Sequence, residues 1–153
     1  MTERKQLQKK LLFEYEDILN KSIEALDYSF NKCVAIGLKK DYTLEESETF
    51  EALTSRFART SDIFTQKYLR CFFELIEEYP NTMIDMLNNA EKKGLINQTD
   101  ALLDARKLRN DIAHEYWIEN LKQKFAECLK LSPIMIGEVK NSFLRVREIV
   151  QSI

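Results

Sequence analysis

From residue 11 the chain reads Leu11-Leu12-Phe13-Glu14-Tyr15-Glu16-Asp17-Ile18-Leu19-Asn20-Lys21-Ser22-Ile23-Glu24-Ala25-Leu26-Asp27-Tyr28-Ser29-Phe30-Asn31-Lys32-Cys33-Val34. Leu11, Tyr15, Ile18, Leu19, Ile23, Leu26, Phe30 and Val34 recur at steps of three and four, the period of one apolar stripe on a helix. Extended outward, the pattern predicts a single long helix from about Thr2 to Gly37, with Gly37 as its stop. A helix of that length with one stripe needs other helices to cover it, which points to an all-α bundle.

Downstream segments carry the same period. Thr43-Leu44-Glu45-Glu46 has the form of a capping box, in which hydroxyl and carboxylate each satisfy a free backbone donor. It opens a second segment with the stripe Phe50, Leu53, Phe57, Phe64, Tyr68, Phe72, Leu75 and Ile76, ended by Pro80. Thr60-Ser61 lowers helix propensity within it without marking a break. A short third segment covers Thr82 to Lys93, with Gly94 available for a left-handed cap. A fourth starts between Asn97 and Asp100 and carries Leu102, Leu103, Leu108 and Ile112. It stops near Tyr116-Trp117 or bends into a further helix, Leu121 to Leu131. Ser132-Pro133 reads as the N-cap and first turn of a last helix, with Val139, Phe143, Val146, Ile149 and Val150 as its stripe. The expectation is an antiparallel bundle of five to six helices forming a single domain over residues 1–153. Three glycines and two prolines are too few to turn the strands of a sheet fold.

Hydrophobic residues make up 44% and charged residues 31%, the balance of a globular protein able to build its own core. The net charge of −2 argues against non-specific nucleic-acid binding over the whole surface, because that affinity comes from neutralised phosphates. Any contact with RNA would use a local patch or an assembled face. Cys33, Cys71 and Cys128 are scattered and odd in number, with no metal-ligand spacing, and read as small buried residues in a reducing compartment. No metal and no cofactor is expected. The amphipathic N-terminus lacks the apolar core of a signal peptide, and no apolar run approaches the ~20 residues of a membrane helix. The expected location is cytoplasmic, away from membranes.

One constellation can carry chemistry: Arg109-Asn110-Asp111-Ile112-Ala113-His114-Glu115-Tyr116, which holds the chain's one histidine. On an ideal helix Asn110 and His114 share a stripe, whereas Arg109 and His114 stand about 140° apart. Arg109 is a permanent cation with a planar fork suited to phosphate oxygens. His114 can exchange a proton near neutral pH, and Asn110 can orient the imidazole or donate to a phosphate. These groups suffice for metal-independent RNA cleavage through a 2′,3′-cyclic phosphate. The reaction works best with both a base and an acid, and one chain has one histidine. A two-fold homodimer would supply the second. It would also gather two copies of Arg106, Lys107 and Arg109 into a basic, RNA-binding cleft on an acidic protein.

The same residues resemble a known pattern. Arg109 to His114 reads as the R-x4-H motif of HEPN domains, and the extension to Tyr116 resembles the HepT-like toxin branch. Ser55-Arg56-Phe57-Ala58-Arg59-Thr60 through Phe72 is similar to the preceding helix in HEPN proteins described as substrate-binding subunits of nucleotidyltransferases. The resemblance covers about residues 45 to 120. It implies a helical bundle in which Arg109 and His114 form a ribonuclease pair supported by Asn110. It also implies a toxin paired with a minimal nucleotidyltransferase antitoxin that attaches AMP to the motif tyrosine, Tyr116. Added phosphate there would repel RNA and could occupy the Arg109 fork. Asp111, Glu115 and Glu119 depart from the more apolar family pattern by placing negative charge beside His114.

The alternative is a non-catalytic HEPN partner that binds or presents nucleotide for a separate nucleotidyltransferase. Other features have plainer readings. Arg109 and Asp111 could pair with neighbouring helices, and Trp117 reads as an interface or core aromatic. Arg56, Arg59, Lys67 and Arg70 read as a solvated face, with a docking surface for the transferase as the lesser reading.

Overall fold

Thr2 opens the first helix by accepting the Lys5 amide on its hydroxyl at 3.2 Å, and α1 then runs Glu3–Ile36. The structure, a computed structural model, describes residues 2–153, and among them there are helices and no strands. Gly37, at φ 78°, ends α1 as its sequence predicts, and its amide bonds the Cys33 carbonyl. The buried face of α1 keeps Leu19, Ile23 and Leu26 of the expected stripe and shifts by one residue toward both ends. Leu12, Glu16, Leu19, Ile23, Leu26, Ser29 and Cys33 are covered, while Leu11, Ile18 and Val34 are exposed. Two polar residues disguise that face. Glu16 pairs with Arg147 at 2.5 Å, and Ser29 accepts from Arg56 at 2.8 Å, so their positions do not count as apolar although both are buried.

The second segment forms α2 (Leu44–Asp62), a seven-residue π-helical stretch (Ile63–Leu69) and α3 (Arg70–Leu75). The backbone stays helical across both junctions, so the three make one rod that packs against α1 and α7. Both bonds of the capping box at Thr43 and Glu46 are present. The expected unbroken α-helix is corrected at the π stretch. There the Thr60 and Thr65 hydroxyls each bond a carbonyl four residues back, Arg56 and Ser61, at 2.8 Å. These bonds compete with the amide ladder and loosen it. Arg56 is no solvated residue either: it reaches across to the Ala25 carbonyl at 3.2 Å and tethers the rod to α1.

Glu77, at φ 59°, closes α3 in a left-handed conformation, with the Glu78 amide bonding the Phe73 carbonyl. α4 (Met83–Lys92) follows, capped by Thr82 and ended at Gly94 as expected. α5 (Thr99–His114) has no side-chain cap of its own. Its start is held by the last helix. The buried Glu138 carboxylate accepts the Asn97 and Gln98 amides at 2.8 and 3.0 Å. Ser142 and Asn141 each donate to the Leu95 carbonyl at 2.8 Å, and Arg145 donates to that of Lys93 at 2.8 Å. These contacts hold the root of the motif helix against α7.

After α5 comes the short α6 (Ile118–Lys122), then α7 (Phe125–Gln151). Ser132-Pro133 does not begin a new helix; it lies inside α7. Ser132 is fully buried and donates to the Cys128 carbonyl at 2.6 Å, which makes it an interior residue and not a cap. Burial of Cys128, Leu131 and Met135 on either side holds the helix together through the proline. In the core, Phe50 stacks on Phe125 with centroids 4.5 Å apart, and Tyr42 meets both rings edge-on. All three cysteines are free and buried, and no described helix is long and apolar enough to cross a membrane.

Candidate functional site

The helical period divides the polar residues of α5 between two faces. Leu102, Ala105 and Leu108 fix the buried side. Arg106 and Arg109, three apart, turn toward the π stretch, where they line a shallow groove with Asp62, Ile63, Gln66 and Lys67. Lys107, Asn110 and His114 follow one another on a different stripe, at steps of three and four. Lys107 and His114 are exposed.

Arg109 is gripped by Asp62, the last residue of α2. Its Nη2 donates to Asp62 Oδ2 at 2.8 Å, and its Nε lies 2.6 Å from Oδ1. This hydrogen bonding holds the guanidinium above its ordinary pKa, against the opposing effect of partial burial. The remaining arm, Nη1, donates to Asn110 Oδ1 at 3.2 Å. The Asn110 oxygen is therefore turned to the guanidinium rather than to the imidazole. The sequence allowed a partner for Arg109 on another helix but could not name Asp62, because no local pattern fixes the register of α2 against α5.

His114 is the last residue of α5 and stands at the solvent end of the helix. Three carboxylates surround it in sequence, and each has a partner. Asp111 lies 3.6 Å from Lys124, Glu115 accepts the Trp117 amide at 3.0 Å, and Glu119 pairs with Lys122 at 2.9 Å. Asp111 and Glu119 thus face lysines, while Glu115 is held by neutral donors and keeps its charge beside His114. Glu115 also accepts from Asn120 and thereby caps the turn into α6. That turn pushes three large side chains outward together: Tyr116 is 88% exposed, Trp117 74% and Ile118 51%. Trp117 is not a core residue in the single chain. Together they leave an apolar patch uncovered beside the end of α5.

Compared with family models, with curated proteins and with solved structures, the chain finds no match.

The structure brings Arg109, Asn110 and Arg106 together on or beside one groove. It sets Lys107 and His114 on the neighbouring face and leaves Tyr116 open to solvent. A single chain offers an exposed imidazole at the end of α5, while the Arg109 guanidinium is already paired with Asp62.

Proposed function

We propose that the chain is a metal-independent endoribonuclease of HEPN type that acts as a homodimer, the toxin of a pair with a minimal nucleotidyltransferase antitoxin. The observation that carries this reading is His114, exposed at the end of α5 and flanked by carboxylates that have other partners. An imidazole so placed can take the proton of an RNA 2′-OH while the 2′ oxygen attacks the adjacent phosphorus. The second copy's His114 protonates the departing 5′ oxygen, leaving a 2′,3′-cyclic phosphate, and Arg109 stabilises the charge on phosphorus. The apolar turn at Trp117 and Ile118 gives a second copy something to bury next to that imidazole. The open Tyr116 hydroxyl suits AMP attachment as the antitoxin's means of control.

A second reading has its own support. The Asp62 grip on Arg109 favours a non-catalytic partner of a nucleotidyltransferase, in which the pair is structural. Purified protein incubated with RNA in EDTA separates the two. Cyclic-phosphate ends that disappear in His114→Ala support the nuclease. Intact RNA, together with a wild-type protein harmless to its host cell, supports the partner.

A further inference from the structure

A deeper groove lies beyond Arg106, between the rod, the α3–α4 turn and α5. It has a volume of about 320 Å³, with Phe73 and Met86 at its floor and Tyr79 at its rim. Arg70 and Arg106 both line it, and neither makes an ion pair among the described residues. They share one neutral neighbour. With its amide turned to suit, Gln66 accepts from Arg106 Nη1 and Nη2 at 2.7 and 3.1 Å. Arg70 Nη2 stands 3.4 Å from the other atom of the same amide. One carbonyl oxygen cannot serve both guanidiniums. Turning it toward Arg106 presents Arg70 with an NH₂ group, a donor facing a donor. Around Gln66 the donors therefore outnumber the acceptors. Two carboxylates also line the groove: Glu78 is taken by Lys93 at 2.8 Å, whereas Glu74 has no ion pair and opposes an anion that the two guanidiniums attract.

We infer that this groove is a binding site for a small phosphate monoester carried on a flat apolar body, held by Arg70 and Arg106 with its body against Phe73, Met86 and Tyr79. Two unpaired guanidiniums match the two charges of a monoester, and planar forks match its oxygens. The exposed Tyr79 ring at the rim, above the edges of Phe73 and Met86, gives a ring something to lie against that a bare ion would not use. The phosphate displaces the amide's divided service by accepting from both arginines, and Gln66 is freed to donate. This site shares Arg106 with the cleft of the ribonuclease reading but uses neither His114 nor Arg109, so loss of phosphate binding and loss of cleavage can be told apart.

The test is an NMR titration of the full chain with phenyl phosphate, inorganic phosphate and phenol, following the arginine Nε–H signals and the Met86 methyl. Phenyl phosphate is expected to move both sets. Inorganic phosphate is expected to move the arginine signals alone, at least tenfold more weakly, and phenol neither. Arg106→Lys keeps charge and fold while removing the fork, and should weaken phenyl phosphate tenfold or more. Arg70→Ala should do the same, Glu74→Gln should strengthen binding, and the distant Lys130→Ala should change nothing. Equal binding by phenol and phenyl phosphate, or indifference to both arginine substitutions, would overturn the assignment. So would an absence of shifts at millimolar ligand.

Discussion

Asp62 competes with any phosphate for the Arg109 fork, so the two readings of the site part company at one carboxylate. In Asp62→Asn the competitor is gone while the shape remains. If the chain cleaves RNA, this variant should do so roughly tenfold faster at limiting substrate, the equivalent of about 1.4 kcal/mol of phosphate binding. Single-turnover cleavage of a labelled RNA measures it, and a slower variant would mean that Asp62 positions Arg109 for the reaction. The cost in stability should be about 1 kcal/mol or less, because both partners are partly exposed to water. His114→Ala should lower cleavage by roughly 10²–10⁴, the usual contribution of a general acid or base. The sequence singles out the run by its one histidine, with an arginine five residues before it. What the run could not reveal was the occupant of the guanidinium, which comes from a residue 47 positions away.

Two helical elements contain residues that local rules disfavour. Pro133 sits well inside α7, where it removes one amide donor and crowds the preceding turn. It is exposed, so Pro133→Ala loses little packing and should raise stability by up to about 3 kcal/mol, read as a higher urea midpoint. Glu77 holds a left-handed conformation that glycine adopts freely. Glu77→Gly should stabilise by about 0.5–1 kcal/mol, after allowance for its exposed contact with Lys5 at 3.6 Å. Most helix starts and stops were readable, since Thr43 and Thr82 cap through their own hydroxyls and Gly37 and Gly94 stop through their own backbones. The continuous α7 and the π stretch were not. Long-range burial overrode a local start signal in the first. In the second, hydroxyl bonds within the rod altered the ladder without any change in composition.

For the molecule as a whole, an all-helical architecture followed from period alone, whereas the covered face of α1 depended on partners 27 and 131 residues away. Those buried contacts also set the response to alkali. Burial pushes the Cys33 and Cys71 thiols up to about 11 and Cys128 to about 12, from an ordinary 9.0. Above pH 9 the unfolded chain therefore gives up these protons before the folded one does, and stability falls as pH rises toward 11. The contribution is fully present at neutral pH. Urea midpoints measured at pH 7.5 and 10 should show the decline, and a variant with all three cysteines changed to alanine should show less of it.

Assembly belongs to this scale too. Trp117→Glu should leave the fold intact and turn a dimer into a monomer, as read by light scattering; an unchanged mass would remove the basis for a shared site.

The grip of α7 on Lys93, Leu95, Asn97 and Gln98 has a mechanical consequence. Asp62 holds α5 again at Arg109, so the helix beyond that pair is a short cantilever, loosely stayed at its tip by Asp111 and Lys124. Thermal agitation should then grow along its length, and amide deuteration should run slow at Leu102, faster at Ile112 and fastest at the tyrosine. A guest captured at the tip would quiet the whole beam, so occupancy could be sensed at its root, far from where the guest is held.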